Sequence, residues 1–201
     1  MKKIEIAKAI IEGNGGIVKT AWLNDAGIQN SEIVKMCENG ELERVKHGYY
    51  GISGQTELSE EKMIAMFLEE GIVCMESALF YYGYSDKTPL VWTIAVPRNV
   101  SRAKTEIDNF AYKLYYIQDD KLALGKVKGL FNGIELSVYD RERTICDCFK
   151  YRSKMDSETF NKAMNAYVAD EKKNLRTLAM YAKEMRVYKK VMELMEVMLN
   201  G

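Results

Sequence analysis

In the first 52 residues every periodic segment ends on glycine, and the order of the segments constrains the fold more than any other feature of the chain. KKIEIAKAIIE (2–12) sets Ile4, Ala7, Ile10 and Ile11 at helical spacing and stops at GNGG. IVKTAWLNDA (17–26) reads as a short second helix with Ile17, Ala21 and Trp22 on one side. Gly27 follows, where a sharp turn calls for positive φ. NSEIVKMCEN (30–39) reads as a third helix, capped by Asn30 or Ser31, with Ile33, Val34 and Cys37 inward and Gly40 at its end. ELERV and YYGI are β-prone runs around Lys46-His47-Gly48, the pattern of a tight hairpin. Three helices and a hairpin in this order predict a winged helix-turn-helix over residues 1–53. SGQTELSE (53–60) reads as a polar linker to the next domain.

That layout assigns roles to side chains. At the start of the third helix, Gln29, Asn30, Ser31 and Glu32 are placed to meet base edges, and Asn or Gln can bond adenine in pairs. Lys19, Thr20, Lys35 and Arg44 are candidates for phosphate contacts, which fix register without reading sequence. Lys46, His47 and Tyr49 would reach the backbone or minor groove from the hairpin. The bland alternative is a three-helix unit that binds protein. His47 is the chain's only histidine and has no cysteine pair or nucleophile beside it, so a turn residue fits it better than a catalytic base.

Charge does not decide the partner. The 201 residues carry 29 Lys/Arg and 29 Asp/Glu, and the balance over 1–53, 54–140 and 141–201 runs 0, −4, +4. Cys37, Cys74, Cys146 and Cys148 show no metal-ligand spacing, and they read as reduced, mostly buried thiols. With no apolar run long enough to span a bilayer, the expectation is a cytoplasmic protein that needs no membrane, metal or cofactor and is not an enzyme.

Residues 60–201 predict an α+β domain that ends in a helical bundle. VWTIAV (91–96) and YKLYYIQ (112–118) read as strands. KVKGLFNGIELSVYD (126–140) reads as a hairpin, because Asn132-Gly133 is the preferred type I′ turn pair. In DRERTICDCF, Asp140 caps a helix on which Arg143 and Asp147 lie four apart. That cluster is either a polar patch facing a pocket or partner, or a salt-bridged helix anchoring the sheet. Tyr181, Met185, Tyr188, Met192, Met195 and Leu199, widened by Val187, Val191, Leu194 and Met198, form an apolar stripe that reads as core cover. Two rival functions remain. One is a metal-dependent nuclease using Glu76, Asp86, Glu135 and Asp140, although Glu135-Leu136-Ser137 lacks the lysine of the usual strand signature. The other is a repressor whose second domain binds a small effector.

GGIVKTAWLNDAGI…ERVKHGYYGI, then ESALFYYGY, TIAVP and VYDRERTICDCF, resemble in order the AbiEi family of antitoxins from bacterial abortive-infection, type IV toxin–antitoxin operons. The family's SALxxxG segment maps onto Ser77-Ala78-Leu79 with Gly83, its strand-ending proline onto Pro97, and its ERTxxD helix onto Glu142-Arg143-Thr144 with Asp147. The resemblance covers the chain to about residue 170. It implies a DNA-binding domain that represses its own promoter through inverted repeats. It also implies a second domain that counters a nucleotidyltransferase-like toxin, often without a stable complex. The neutral first domain departs from a typically basic reader. Counterion release would then supply less affinity, and cooperative binding or the basic C-terminal helices would have to help.

Overall fold

Ile17 and Val18 follow two glycines, Gly15 and Gly16, whose positive φ turns the chain out of the first helix. Both β-branched residues are buried, and they sit in a strand where the sequence suggested helix. The computed structural model describes residues 2–55, 58–107 and 111–200. Its chain divides into two compact units, Met1–Ser59 and Glu60–Gly201. Part of the stretch read as a linker, and residues 108–109 of the segment after Pro97, lie outside the described residues.

The first unit runs α1 (Lys3–Gly13), β1 (Ile17–Lys19), α2 (Thr20–Asp25), α3 (Asn30–Glu38), β2 (Leu42–Lys46) and β3 (Tyr49–Ile52). β3 lies between β1 and β2, antiparallel to both. Ala7, Ile11, Val18, Leu23, Ile28, Ile33, Met36, Leu42 and Ile52 form its core. Three side-chain assignments change. α2 buries Leu23 and leaves Trp22 46% exposed. α3 buries Ile33 and Met36, with Cys37 only partly covered, and turns Val34 outward at 49% exposure. Asn30 and Ser31 lie inside α3, and Gln29 precedes it as the N-cap.

The second unit is a mixed α+β structure. It comprises α4 (Glu60–Phe67), β4 (Ile72–Val73), α5 (Met75–Tyr81), β5 (Trp92–Pro97), α6 (Arg102–Thr105), β6 (Tyr112–Ile117), α7 (Asp119–Leu122), β7 (Lys126–Phe131), β8 (Ile134–Tyr139) and α8 (Arg141–Lys150). A short 3-10 turn (Arg152–Lys154) leads to α9 (Ser157–Ala169), α10 (Leu175–Glu184) and α11 (Tyr188–Asn200). The five-stranded sheet has the order β6-β5-β4-β8-β7. β5–β6 and β4–β8 pair in parallel, while β4–β5 and β7–β8 are antiparallel. The Asn132-Gly133 turn closes β7–β8 with φ of 46° and 82°, as a type I′ turn requires.

Helices α8 to α11 supply half of the buried core cluster around this sheet. α8 is central, since every residue from Glu142 to Phe149 is buried. The apolar stripe drawn from Tyr181 to Leu199 is broken. α10 stops at Glu184, Arg186 takes a φ of 61°, and α11 starts afresh at Tyr188. Met185, Val187, Val191 and Met195 pack inward, whereas Tyr188 and Leu199 are exposed.

Candidate functional site

The sequence-predicted residues of the first unit fall into two groups. The first lies on α3. Ile33 and Met36 fix its buried side, so at about 100° per residue Asn30, Ser31, Val34, Lys35 and Glu38 share the opposite side. All five are exposed, as is Gln29 just ahead of them. Val34 is the member that the sequence reading assigned to the core. Counting around the helix from Ile33 and Met36 would have found it, because a residue one step past a core position points away. An exposed methyl-bearing side chain amid polar ones can meet a thymine methyl.

The start of α3 is held from outside. Lys3 Nζ lies 2.8 and 2.7 Å from the two carboxylate oxygens of Glu32 and also donates to the Gly27 carbonyl at 3.2 Å. Glu32 Oε2 accepts from the Gln29 N–H at 3.0 Å. The Lys3 hydrogen bond, and after it the Gln29 N–H, hold the Glu32 carboxyl below its ordinary range. Glu32 is thereby tied to the start of α3. Through Lys3 it links the first turn of α3 to the Gly27 carbonyl.

The second group lies on the sheet. Register places Lys19 opposite Tyr49 and Tyr49 opposite Lys46, a row across all three strands. Directly opposed residues share a face, so two cations flank one phenol ring, and Lys19 Nζ stands 5.8 Å from its centroid. The register shifts between Arg44 and Lys46. That bulge brings Lys46 onto the face of Tyr49 while Arg44 stays opposite Tyr50. The Thr20 N–H donates to the Gly48 carbonyl at 2.9 Å, which ties the hairpin turn to the start of α2. Arg44 donates from Nη2 to His47 Nδ1. His47 thus meets a guanidinium.

The motif residues of the second unit have a different setting. Ser77, Glu142, Arg143, Thr144 and Asp147 are all buried. Arg143 gives Nη1 to the carbonyls of Lys121 and Leu124 at 2.8 and 2.9 Å and Nε to Asp147 Oδ1 at 3.3 Å. Its guanidinium also lies 4.1 Å from the Tyr139 ring centroid. Gly125 makes this possible: a Cβ there would stand 2.5 Å from Arg143 Cβ, and its φ is +75°. Glu142 Oε1 accepts from the Asn174 N–H and the Tyr167 hydroxyl. Thr144 donates to the Tyr139 carbonyl, and Ser77 Oγ accepts from the Thr93 N–H while Thr93 Oγ1 accepts from the Ser77 N–H. Burial pushes the Asp147 carboxyl upward, against the pull of Arg143, and it pushes the thiols of Cys74, Cys146 and Cys148 up as well. Of the two readings of DRERTICDCF, the geometry is that of a helix anchoring the sheet; none of these side chains reaches a partner surface.

The chain's fold has a counterpart among solved structures. No family model and no curated protein matches the sequence. A crystal structure of the RV2827C protein from Mycobacterium tuberculosis matches at a TM-score of 0.59 and 13% identity, over 89% of this chain and 70% of that one. At that identity the likeness concerns the fold alone.

The carboxylates imagined as a nuclease site are scattered. Asp86 pairs with Lys162, Glu135 with Lys128, and Asp140 caps α8. Among the described residues no group of three or more His, Cys, Asp or Glu is arranged to hold a metal ion. No helix among them is long and apolar enough to cross a membrane.

Proposed function

We propose that this chain is a cytoplasmic antitoxin of a type IV, abortive-infection operon that also represses its own promoter. Its first unit would read DNA as a winged helix-turn-helix. The observation that carries the DNA reading is the solvent-facing row Asn30, Ser31, Val34 and Lys35 on a helix clamped at its start by Lys3 and Glu32. α3 then takes the place of the recognition helix, and its polar N-terminal residues are the ones that meet base edges in such units. The β2–β3 hairpin takes the place of the wing, and its Lys46 together with Lys19 of β1, beside Tyr49, supply phosphate contacts that set register. The ordered motifs SALxxxG and ERTxxD support the antitoxin half of the reading. Their buried residues hold α5 and α8 in place, so opposition to the nucleotidyltransferase-like toxin belongs to the surface that these helices support.

Mobility shifts of the full chain on its own promoter DNA, with and without Asn30→Ala, test the DNA half. Growth rescue by residues 54–201 beside the toxin tests the other. Unchanged binding by both Asn30→Ala and Lys46→Ala would make the first unit a protein-interaction module. A folded 54–201 fragment that gives no rescue would end the division of labour.

A further inference from the structure

The second unit carries a cleft that the reading above leaves unused. It lies between α4, α5, the start of β5 and the β7–β8 turn, and encloses about 540 Å³. That volume is in the range of small-molecule sites. Its wall is a corner of aromatic rings. Tyr81 stacks on Phe131 with centroids 4.4 Å apart, and Trp92 meets Phe131 at 5.8 Å and 59°. The wall is built into the sheet, because Gly129 is bare where Tyr81 lies: a Cβ there would stand 2.9 Å from the phenol oxygen.

Two carboxylates face this wall. Glu61 is 8% exposed and accepts from Asn132 Nδ2 at 2.7 Å. Glu60, at the rim, accepts from Trp92 Nε1 at 2.7 Å. Each contact engages one oxygen, and a carboxylate has about four lone-pair sites, so both retain acceptor capacity toward the cleft. The described lining contains these two acids and no Lys, Arg or His. Ring faces carry negative potential, and two fixed carboxylates add to it, so an anion such as a nucleotide phosphate is repelled there. A hydrated metal ion suits the apolar rings poorly.

We propose that this cleft binds a compact organic cation, an alkylammonium or guanidinium group on an apolar body. The cation head lies between the carboxylates and the Trp92 and Phe131 rings, and the body packs on Tyr81. The cation can be a free small molecule or the side chain of a basic peptide, and the test separates the two. This site is independent of the DNA and antitoxin reading.

Calorimetric titration of the full chain would use choline, its neutral isostere 3,3-dimethylbutan-1-ol, agmatine and acetyl-Gly-Arg-Gly-amide. Choline or agmatine should bind at least about tenfold tighter than the neutral isostere, a difference of about 1.4 kcal/mol. Glu60→Gln, which keeps an acceptor for Trp92 on an exposed rim, should weaken cation binding several-fold and leave the isostere unchanged. Glu61→Gln should do so more strongly, and Glu60→Gln carries the test if that variant fails to fold. Tighter binding of the peptide than of agmatine identifies a protein side chain as the source, and the reverse identifies a free cation. Binding of choline and agmatine no tighter than that of the isostere, or no binding of any cation by the folded protein, overturns the proposal.

Discussion

α3 and α8 both open on polar residues, and the fold treats them in opposite ways. Asn30, Ser31 and Lys35 stand in solvent, and their neighbour Glu32 is held by one exposed lysine. Glu142, Arg143 and Asp147 stand in the core, where neighbouring main chain and side chains receive them. Polarity alone therefore says little about accessibility. A buried guanidinium is tolerable only when most of its donors are met, so the surroundings of Arg143 have been shaped around it. The α3 face has no such duty and can be rewritten without unfolding anything.

That contrast is sharpest at Asp147. Removing its side chain leaves Arg143 buried without its carboxylate, and Asp147→Ala should cost about 3–5 kcal/mol in urea unfolding. A loss below about 1 kcal/mol would mean that Arg143 finds water, and that the two helices are less different than they look. On α3 the expected effect is on binding instead. Asn30→Ala should cost about 1–3 kcal/mol on the promoter site and relax preference at particular base pairs, with the melting curve unmoved. Lys46→Ala should weaken all sequences alike and reduce the salt slope by about one, measured by mobility shift at two salt concentrations.

Asp140 sits between the two cases, half-buried and capping α8 through the Arg143 N–H at 2.8 Å. Asp140→Ala should cost about 1 kcal/mol. Burial raises the Asp140 carboxyl in the folded state, so the folded protein holds its proton to higher pH than the unfolded chain does. Its contribution is thus greatest below the ordinary carboxylate range and is lost as pH rises through the raised value. Asn can cap without titrating, so Asp140→Asn should gain on the natural protein in parallel urea melts as pH rises from the ordinary carboxylate range through that raised value. The smallest effect belongs to Lys3→Met, where an exposed pair is lost. Stability should stay within measurement scatter, and any change in promoter affinity would then report the angle of α3 alone.

What the sequence disclosed was local chemistry. Asn132-Gly133 determines its turn by its own φ values, and Asp140 caps through a bond three residues long, so both were readable in place. β1 was not readable. Three residues have no period, and Ile17 and Val18 become strand only because Gly51 and Tyr50 of β3 lie opposite. Val34 was misassigned because a valine beside an isoleucine looks like core until Ile33 and Met36 fix the buried arc. For Arg143 the i,i+4 spacing to Asp147 was legible, but its burial was not, because the end of α7 and the turn at Gly125 that close over it lie about twenty residues upstream. The aromatic cleft joins residues 60, 81, 92 and 131, and no window along the chain contains that set.

β4 has a kinetic consequence. It is two residues long, yet it is the strand through which β5–β6 and β7–β8 become one sheet, through Ile72 and Val73 against Ala95 and Ile94 and through Val73 against Val138. The β7–β8 hairpin is local and can close in about 1–10 μs, whereas β5 and β6 must wait for the chain between them to cross over. Joining the halves is then a late event with few rungs to secure it. The same seam has the fewest rungs in the sheet, three residue pairs where β5–β6 and β7–β8 have six each.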